Sequence, residues 1–318
     1  MAESSIPVDL LNPGQVFACL GFLEVADVLL GDAEAGFDWS NPDGARFRLS
    51  AHGNDCPVDA VLGFTASATV EKVVPPGYID SPAKDAEEDE EEGNAAGGSS
   101  ATTRSDTFPA READPRSLPV QITAPSRATL SVSHWSDGST RNTFKLYSGN
   151  RPAERIAWSM LQGVREKPKK GGPDTGQTQK IGDLKYKGIA QLWCEQKDAL
   201  KAKPFDVLTA MGGSFNFDPR GAWTALDAGY SPNTQKHAVS ASPVVHLLAA
   251  CALEHMRPPE HRVREVRYAV WSGLLAPMLA RVALQGRIPS LPMKHFRFEL
   301  AMSGKNKIVT FAKQETSE

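Results

Sequence analysis

The chain has 318 residues, 41% of them hydrophobic and 23% charged, and a formal net charge of −3 at pH 7. These are the values of an ordinary soluble globular protein of one large domain or two medium ones. No apolar run approaches the roughly 18 residues that cross a bilayer, and Met1-Ala2-Glu3-Ser4-Ser5 lacks the basic start of a secretory leader. Membrane and secreted classes are thereby set aside, and a cytoplasmic location is expected. Cys19, Cys56, Cys194 and Cys251 form no Cys-x-x-Cys pair and read as small buried hydrophobes in a reducing compartment.

The first element is a helix. Asn12 is a capping residue, Pro13 suits the first helical turn, and Val16, Cys19, Leu20, Leu23, Ala26 and Leu30 follow at helical spacing until Gly31 stops it. Residues 45–49 alternate in polarity, and Ala60 to Val74 is rich in Val, Thr and small residues, so short strands are expected in both. From Lys84 to Thr107 runs an insert in which Asp85 and Glu87 to Glu92 supply seven acids, followed by Gly, Ser, Ala and Thr. Such a segment has nothing with which to build a core and is expected to be disordered. The expected division is therefore an N-terminal part over 1–83, an acidic insert over 84–107 and a C-terminal part over 108–318, the first and last free to form one domain.

Leu130 to Trp135 reads as a strand, with Asp137-Gly138 turning it into a second strand over Arg141 to Tyr147. Arg151 to Val164 follows as a helix with Ile156, Ala157, Met160, Leu161 and Val164 on its apolar face. Lys167 to Lys180 is a Gly, Lys and Pro loop, and Ile189 to Leu200 another helix. Phe215 to Trp223 is irregular and aromatic, Ser242-Pro243 opens a helix to Leu253, and a further helix is expected from Arg262 to Leu284. His295 to Met302 and Lys307 to Lys313 form a terminal hairpin. The fold class is α+β, with a strand-rich N-terminal half and a helix-rich C-terminal half.

Charge is unevenly spread. Between Arg141 and Lys203 fourteen Lys or Arg stand against six Asp or Glu, and phosphate binding follows the local patch and not the average. Lys145, Arg151, Arg155, Arg165, Lys167, Lys169 and Lys170 are candidate phosphate contacts, with Tyr147, Phe144 or Trp158 offering flat faces to unstacked bases. A solvated loop and helix face is the competing explanation.

Catalytic signatures are lacking. Gly171 to Thr178 falls short of a phosphate-binding loop, because Gln177 stands where the motif needs Lys. Glu254, His255, Glu260 and His261 are separated by Pro258-Pro259, which breaks the register a metal site would need. No Gly-x-Ser-x-Gly elbow occurs. Neither a cofactor, a metal nor an active site is therefore expected, and His134 is the least poor candidate for acid–base chemistry.

Asn12-Pro13-Gly14-Gln15-Val16-Phe17-Ala18-Cys19-Leu20-Gly21, Phe144-Lys145-Leu146-Tyr147-Ser148-Gly149, Phe217-Asp218-Pro219-Arg220 and Leu226-Asp227-Ala228-Gly229-Tyr230-Ser231-Pro232-Asn233 resemble a roughly 300-residue CRISPR-associated protein family of the type I-U (I-G) systems. The resemblance runs from about Val8 to Pro289, with the acidic insert as a departure. It implies a subunit of the crRNA-guided interference complex (Cascade), similar to a large subunit. Such a subunit touches crRNA or target DNA, docks other subunits and helps recruit the nuclease-helicase. Guide pairing reads sequence in such systems while protein reads backbone shape and a short adjacent motif. A purely architectural subunit and a guide-processing ribonuclease are the alternatives, and RNA and DNA remain equal options for the basic face.

Overall fold

The computed structural model describes residues 1–74, 118–136, 143–147, 151–165, 184–211, 213–221, 239–288, 290–303 and 306–315. Its helices are α1 (Pro13–Leu30), α2 (Pro57–Ser67), α3 (Ala153–Gln162), α4 (Ile189–Glu195), α5 (Lys197–Ala202), α6 (Pro243–Ala252) and α7 (Pro277–Leu284). The strands in the first part of the chain are β1 (Ala2–Pro7), β2 (Glu34–Asp38), β3 (Arg46–Ala51), β4 (Thr69–Lys72), β5 (Val120–Thr123), β6 (Thr129–Val132), β7 (Val164–Arg165) and β8 (Leu184–Tyr186). They are followed by β9 (Thr209–Ala210), β10 (Ser240–Ala241), β11 (Glu260–Arg262), β12 (Glu265–Trp271), β13 (Met293–Ser303), β14 (Asn306–Val309) and β15 (Lys313–Glu315). The chain is a mixed α+β protein. Its longest helix lies in the first half and its longest strand in the last.

Helix α1 is the centre. Asn12 Oδ1 accepts from the Gln15 amide at 3.1 Å, Pro13 needs no donor in the first turn, and Gly31 closes the end at φ 79°. Every residue from Pro13 to Ala26 is buried, as expected of a helix that is apolar all round. At 18 residues and mean hydropathy 1.5 it is long and apolar enough to cross a bilayer, which corrects the expectation that no such run exists; 78% of it is buried inside the fold. Its one deeply placed acid, Glu24, is held by Arg281 of α7 through two hydrogen bonds of 3.0 Å. Phe17 lies edge-on to Tyr268 and Phe298 of the C-terminal sheet, at 5.8 and 6.0 Å.

The main neighbour of α1 is α6; Gly21 sets how near that helix comes, and Gly14 how near the Phe217 main chain comes. A Cβ on Gly14 would lie 2.2 Å from the Phe217 carbonyl oxygen, and one on Gly21 would lie 2.1 Å from that of Leu248. Alanine favours a helix over glycine by about 1 kcal/mol, yet here main chain opposes it and must move. We expect Gly21→Ala to lose about 1–3 kcal/mol, as overpacked cores do, read as a lower denaturation midpoint. A midpoint equal to or above the parent's would show that the helices can part without cost.

Among the described residues three antiparallel sheets of three or more strands flank this pair, β1-β3-β2, β4-β5-β6 and a larger one ordered β11-β12-β13-β14 with β15 also on β13, and β7-β8 and β9-β10 form two-stranded ribbons. Lys72 pairs with Val120, so the acidic insert leaves and rejoins the chain at one strand pair; the insert itself lies outside the described residues. One hydrophobic core runs from Ile6 to Ala312, so the parts before and after the insert share it.

Three expectations give way, two of them to periodicity. Residues 57–67 form α2, with Val58, Val61, Leu62 and Thr65 buried at helical spacing in spite of their β-branched content, and strand begins only at Thr69. The helix expected from Arg262 is instead β11 and β12, where Val266, Tyr268 and Val270 face the core with period two, and helix begins only at Pro277. Thr143 to Tyr147 is not a strand, and β6 ends at Val132 with a turn in which the Ser136 amide donates to Ser133. The terminal hairpin is present as β13 and β14.

Candidate nucleic-acid interface

Two of the stretches that carry the family resemblance meet in the core. Asp218, whose side chain is 0% exposed, sits between the N-termini of α1 and α6. Arg220 holds it with two short hydrogen bonds, Nε to Oδ1 at 2.9 Å and Nη2 to Oδ2 at 2.7 Å. Asn12 donates to Oδ1 and the Ser242 amide to Oδ2, each at 3.2 Å. Both helix caps thus bind one carboxylate, placed where two helix dipoles favour negative charge. Burial, the largest single influence, would raise the Asp218 pKa, but the Arg220 hydrogen bonds, the His246 and Arg220 charges and the Ser242 amide together hold the carboxyl below its ordinary value. His246 Nδ1 accepts from the Phe217 amide at 3.0 Å, so its ring proton is on Nε2; burial lowers its pKa to about 4. This assembly is a structural hub and presents no reacting group to solvent.

The predicted contacts separate into three groups. Tyr147 is 6% exposed and lies among Trp135 and Phe215, both at 5.7 Å, while Phe144 packs edge-on against Phe17. Their place is in the core, which corrects their reading as base platforms, and Lys145 is half-buried with Nζ 5.7 Å from the Tyr147 ring. Arg151, Arg155 and Arg165 are exposed. Lys167, Lys169 and Lys170 lie outside the described residues, as does the Gly171 to Thr178 loop.

Helix α3 decides what the exposed arginines accompany. Ile156, Ala157, Met160 and Leu161 form its buried stripe, so positions 155 and 158 fall on the opposite face. Trp158 stands there 45% exposed, one turn beyond Arg155. After Gly163 the chain enters β7, where Val164 pairs with Tyr186 and Arg165 with Leu184, bringing exposed Lys185 and Lys187 alongside Arg165. Gln191 ties α4 to the end of α3 by donating to the Gln162 carbonyl at 3.0 Å. On α4 and α5, Trp193 lies under Lys197 and Lys201, at 4.7 and 5.7 Å. Some of this charge is already matched, for Lys187 pairs with Glu195 and Lys201 with Asp59. Trp193, Tyr186 and their lysines were not singled out from the sequence; Trp193 with Lys197 and Lys201 at i+4 and i+8 was the available signal.

No protein-family model, curated protein or solved structure matches the chain.

Other candidate chemistry finds little support. His134 is 2% exposed against Trp135, and burial together with the Arg257 charge lowers its pKa to about 3. A substrate could not reach it, so its nomination as an acid–base residue is withdrawn. Glu254 is bound by the Ser133 amide and hydroxyl, and Glu260 by the Arg264 amide. Among the described residues no group of three His, Cys, Asp or Glu is placed to hold a metal ion. A cleft of about 540 Å³ between the β1–α1 and β2–β3 loops contains Trp39, Lys203 and Lys294, but Asp9, Asp43 and Asp206 outnumber its two lysines. Among the described residues near α3, Arg151, Arg155, Arg165, Lys185 and Lys187 outnumber Glu154 and Glu195, whereas in the cleft the acids outnumber the lysines.

Proposed function

We propose that this chain is a non-catalytic, large-subunit-like component of a type I CRISPR interference complex, of the type I-U (I-G) kind. In it the α3 face is laid against crRNA or target DNA while other surfaces dock neighbouring subunits and the nuclease-helicase, in the cytoplasm. The observation that carries this is the solvent-facing pair Arg155 and Trp158 with Arg151, Arg165 and Lys185 nearby. Cations contacting phosphates fix position without chemistry, which is all such a subunit needs when pairing with the guide supplies the sequence. The buried hub, built from residues that carry the resemblance, accounts for those residues without an active site.

The test is co-expression with the adjacent interference genes and a CRISPR array, followed by purification through a tag on this chain. Guide RNA and other subunits should co-purify, and nucleic-acid affinity should fall steeply with salt. In the double variant Arg151→Glu, Arg155→Glu the salt slope should drop by about one for each phosphate that is no longer neutralised. A protein that emerges alone and indifferent to nucleic acid would end this reading. The architectural alternative has its own observation: Met278, Leu279 and Val282 of α7 stand exposed, as does Val28 of α1. Under it, the glutamate variants would assemble and retain the guide like the parent.

A further inference from the structure

Trp158 lies outside the buried stripe of its helix, which is formed by Ile156, Ala157, Met160 and Leu161. It is 45% exposed, which leaves a large apolar surface in water. Among the described residues only Phe311 is a comparably exposed aromatic. The Trp193 ring, by contrast, is covered by Lys197 and Lys201 and by the α2 surface at Gly63.

We infer that the α3 face takes unpaired nucleotides, one base stacking on the open Trp158 indole while Arg155, one turn earlier, holds an adjacent phosphate. This rests on the subunit reading above and names the strand state it binds. A duplex keeps its base faces stacked inside, so a contact to its backbone uses cations and hydroxyls and gains nothing from an indole. An unstacked base has a face to cover, and any base will serve, because all have one. Arg165, in the strand that follows α3, and Lys185, in the strand paired with it, are exposed and supply further cations. Neither a nucleophile nor a metal is required.

The test uses the full chain and, in parallel, the purified complex, each titrated with fluorescent oligothymidylate, oligouridylate and duplex DNA of about 15 nucleotides. Single strands should bind more tightly than duplex. Trp158→Ala should weaken single-strand binding by about 5- to 150-fold, the equivalent of one lost stack, with duplex binding nearly unchanged and the thermal midpoint kept. Trp158→Phe should retain most of the affinity, and Arg155→Glu should weaken binding to both strand states. The ratio of uridylate to thymidylate affinity separates an RNA from a DNA source. Unchanged single-strand affinity in Trp158→Ala, with guide RNA still co-purifying, overturns this inference and leaves the subunit reading standing. Loss of partner subunits from Trp158→Ala without change in oligonucleotide binding also overturns it and makes Trp158 a protein-docking residue. Failure of both chain and complex to bind any oligonucleotide, with no guide RNA present, removes both.

Discussion

Arg220→Ala should destabilise the protein by about 3–5 kcal/mol, the cost of stripping one partner from a buried ion pair. Against a domain's typical total of about 5–15 kcal/mol, that is a large share. The reason is asymmetry. Asp218 is fully enclosed and would keep only its amide donors, whereas Arg220, 23% exposed, can be hydrated if the carboxylate is removed. Asp218→Asn should therefore cost less than Arg220→Ala, and the double variant less than the sum of the two. Arg220 also donates to the Phe205 carbonyl at 2.7 Å, so its loss loosens the segment after α5 as well. Urea unfolding of the three variants measures this. A loss below about 1 kcal/mol in Arg220→Ala would mean that Asp218 finds water or a proton cheaply, and that the two helix caps are held by something else.

Acid should weaken the fold well before the carboxylates titrate. His134 and His246 have native pKa values of about 3 and about 4, both depressed chiefly by burial. Their unfolded value is near 6.5. Below that pH the unfolded chain binds protons that the native one refuses, so stability falls as pH falls from 6.5 toward 4 and is unaffected above 7. At pH 5 each histidine costs about 2 kcal/mol, or about 4 together. His246 has a geometric reason to refuse the proton: its Nδ1 already accepts the Phe217 amide. Asp218, whose pKa is lowered, stays ionised in the native state through this window and adds its own loss only as pH nears its unfolded value of about 3.9. Urea midpoints at pH 7.5, 6 and 5 should decline progressively. A level midpoint across that range would show that both rings take up protons in the native state, and hence that they are not sealed from water.

Short-range signals in the sequence held. Asn12-Pro13 and Ser242-Pro243 were readable as helix starts because capping is settled within four residues, and both caps are formed. Helix α2 was misjudged where two signals disagreed: its β-branched residues suggested strand, while the spacing of Val58, Val61, Leu62 and Thr65 suggested helix, and packing against the core favoured the spacing. Likewise Val266, Tyr268 and Val270 alternate, and the segment became strand once β13 supplied a partner some thirty residues on. At the candidate interface, exposed Arg155 could be taken from the charge count. The fate of Tyr147 could not, since Trp135 and Phe215 bury it from elsewhere in the chain. Trp158 lay in between: its outward position follows from the helical stripe of α3, but an aromatic residue carries a general presumption of burial.

Order of synthesis gives the central helix a further consequence. Gly21 of α1 touches Leu248 of α6, and Asn12 reaches Asp218. A ribosome needs roughly ten to fifty seconds to make the chain between such partners. Throughout that interval Pro13–Leu30 is an 18-residue segment of mean hydropathy 1.5 with much of its cover not yet made. The nascent chain is therefore expected to need shielding of this segment in the cell, and a fragment ending before α6 would leave α1 without its principal partner.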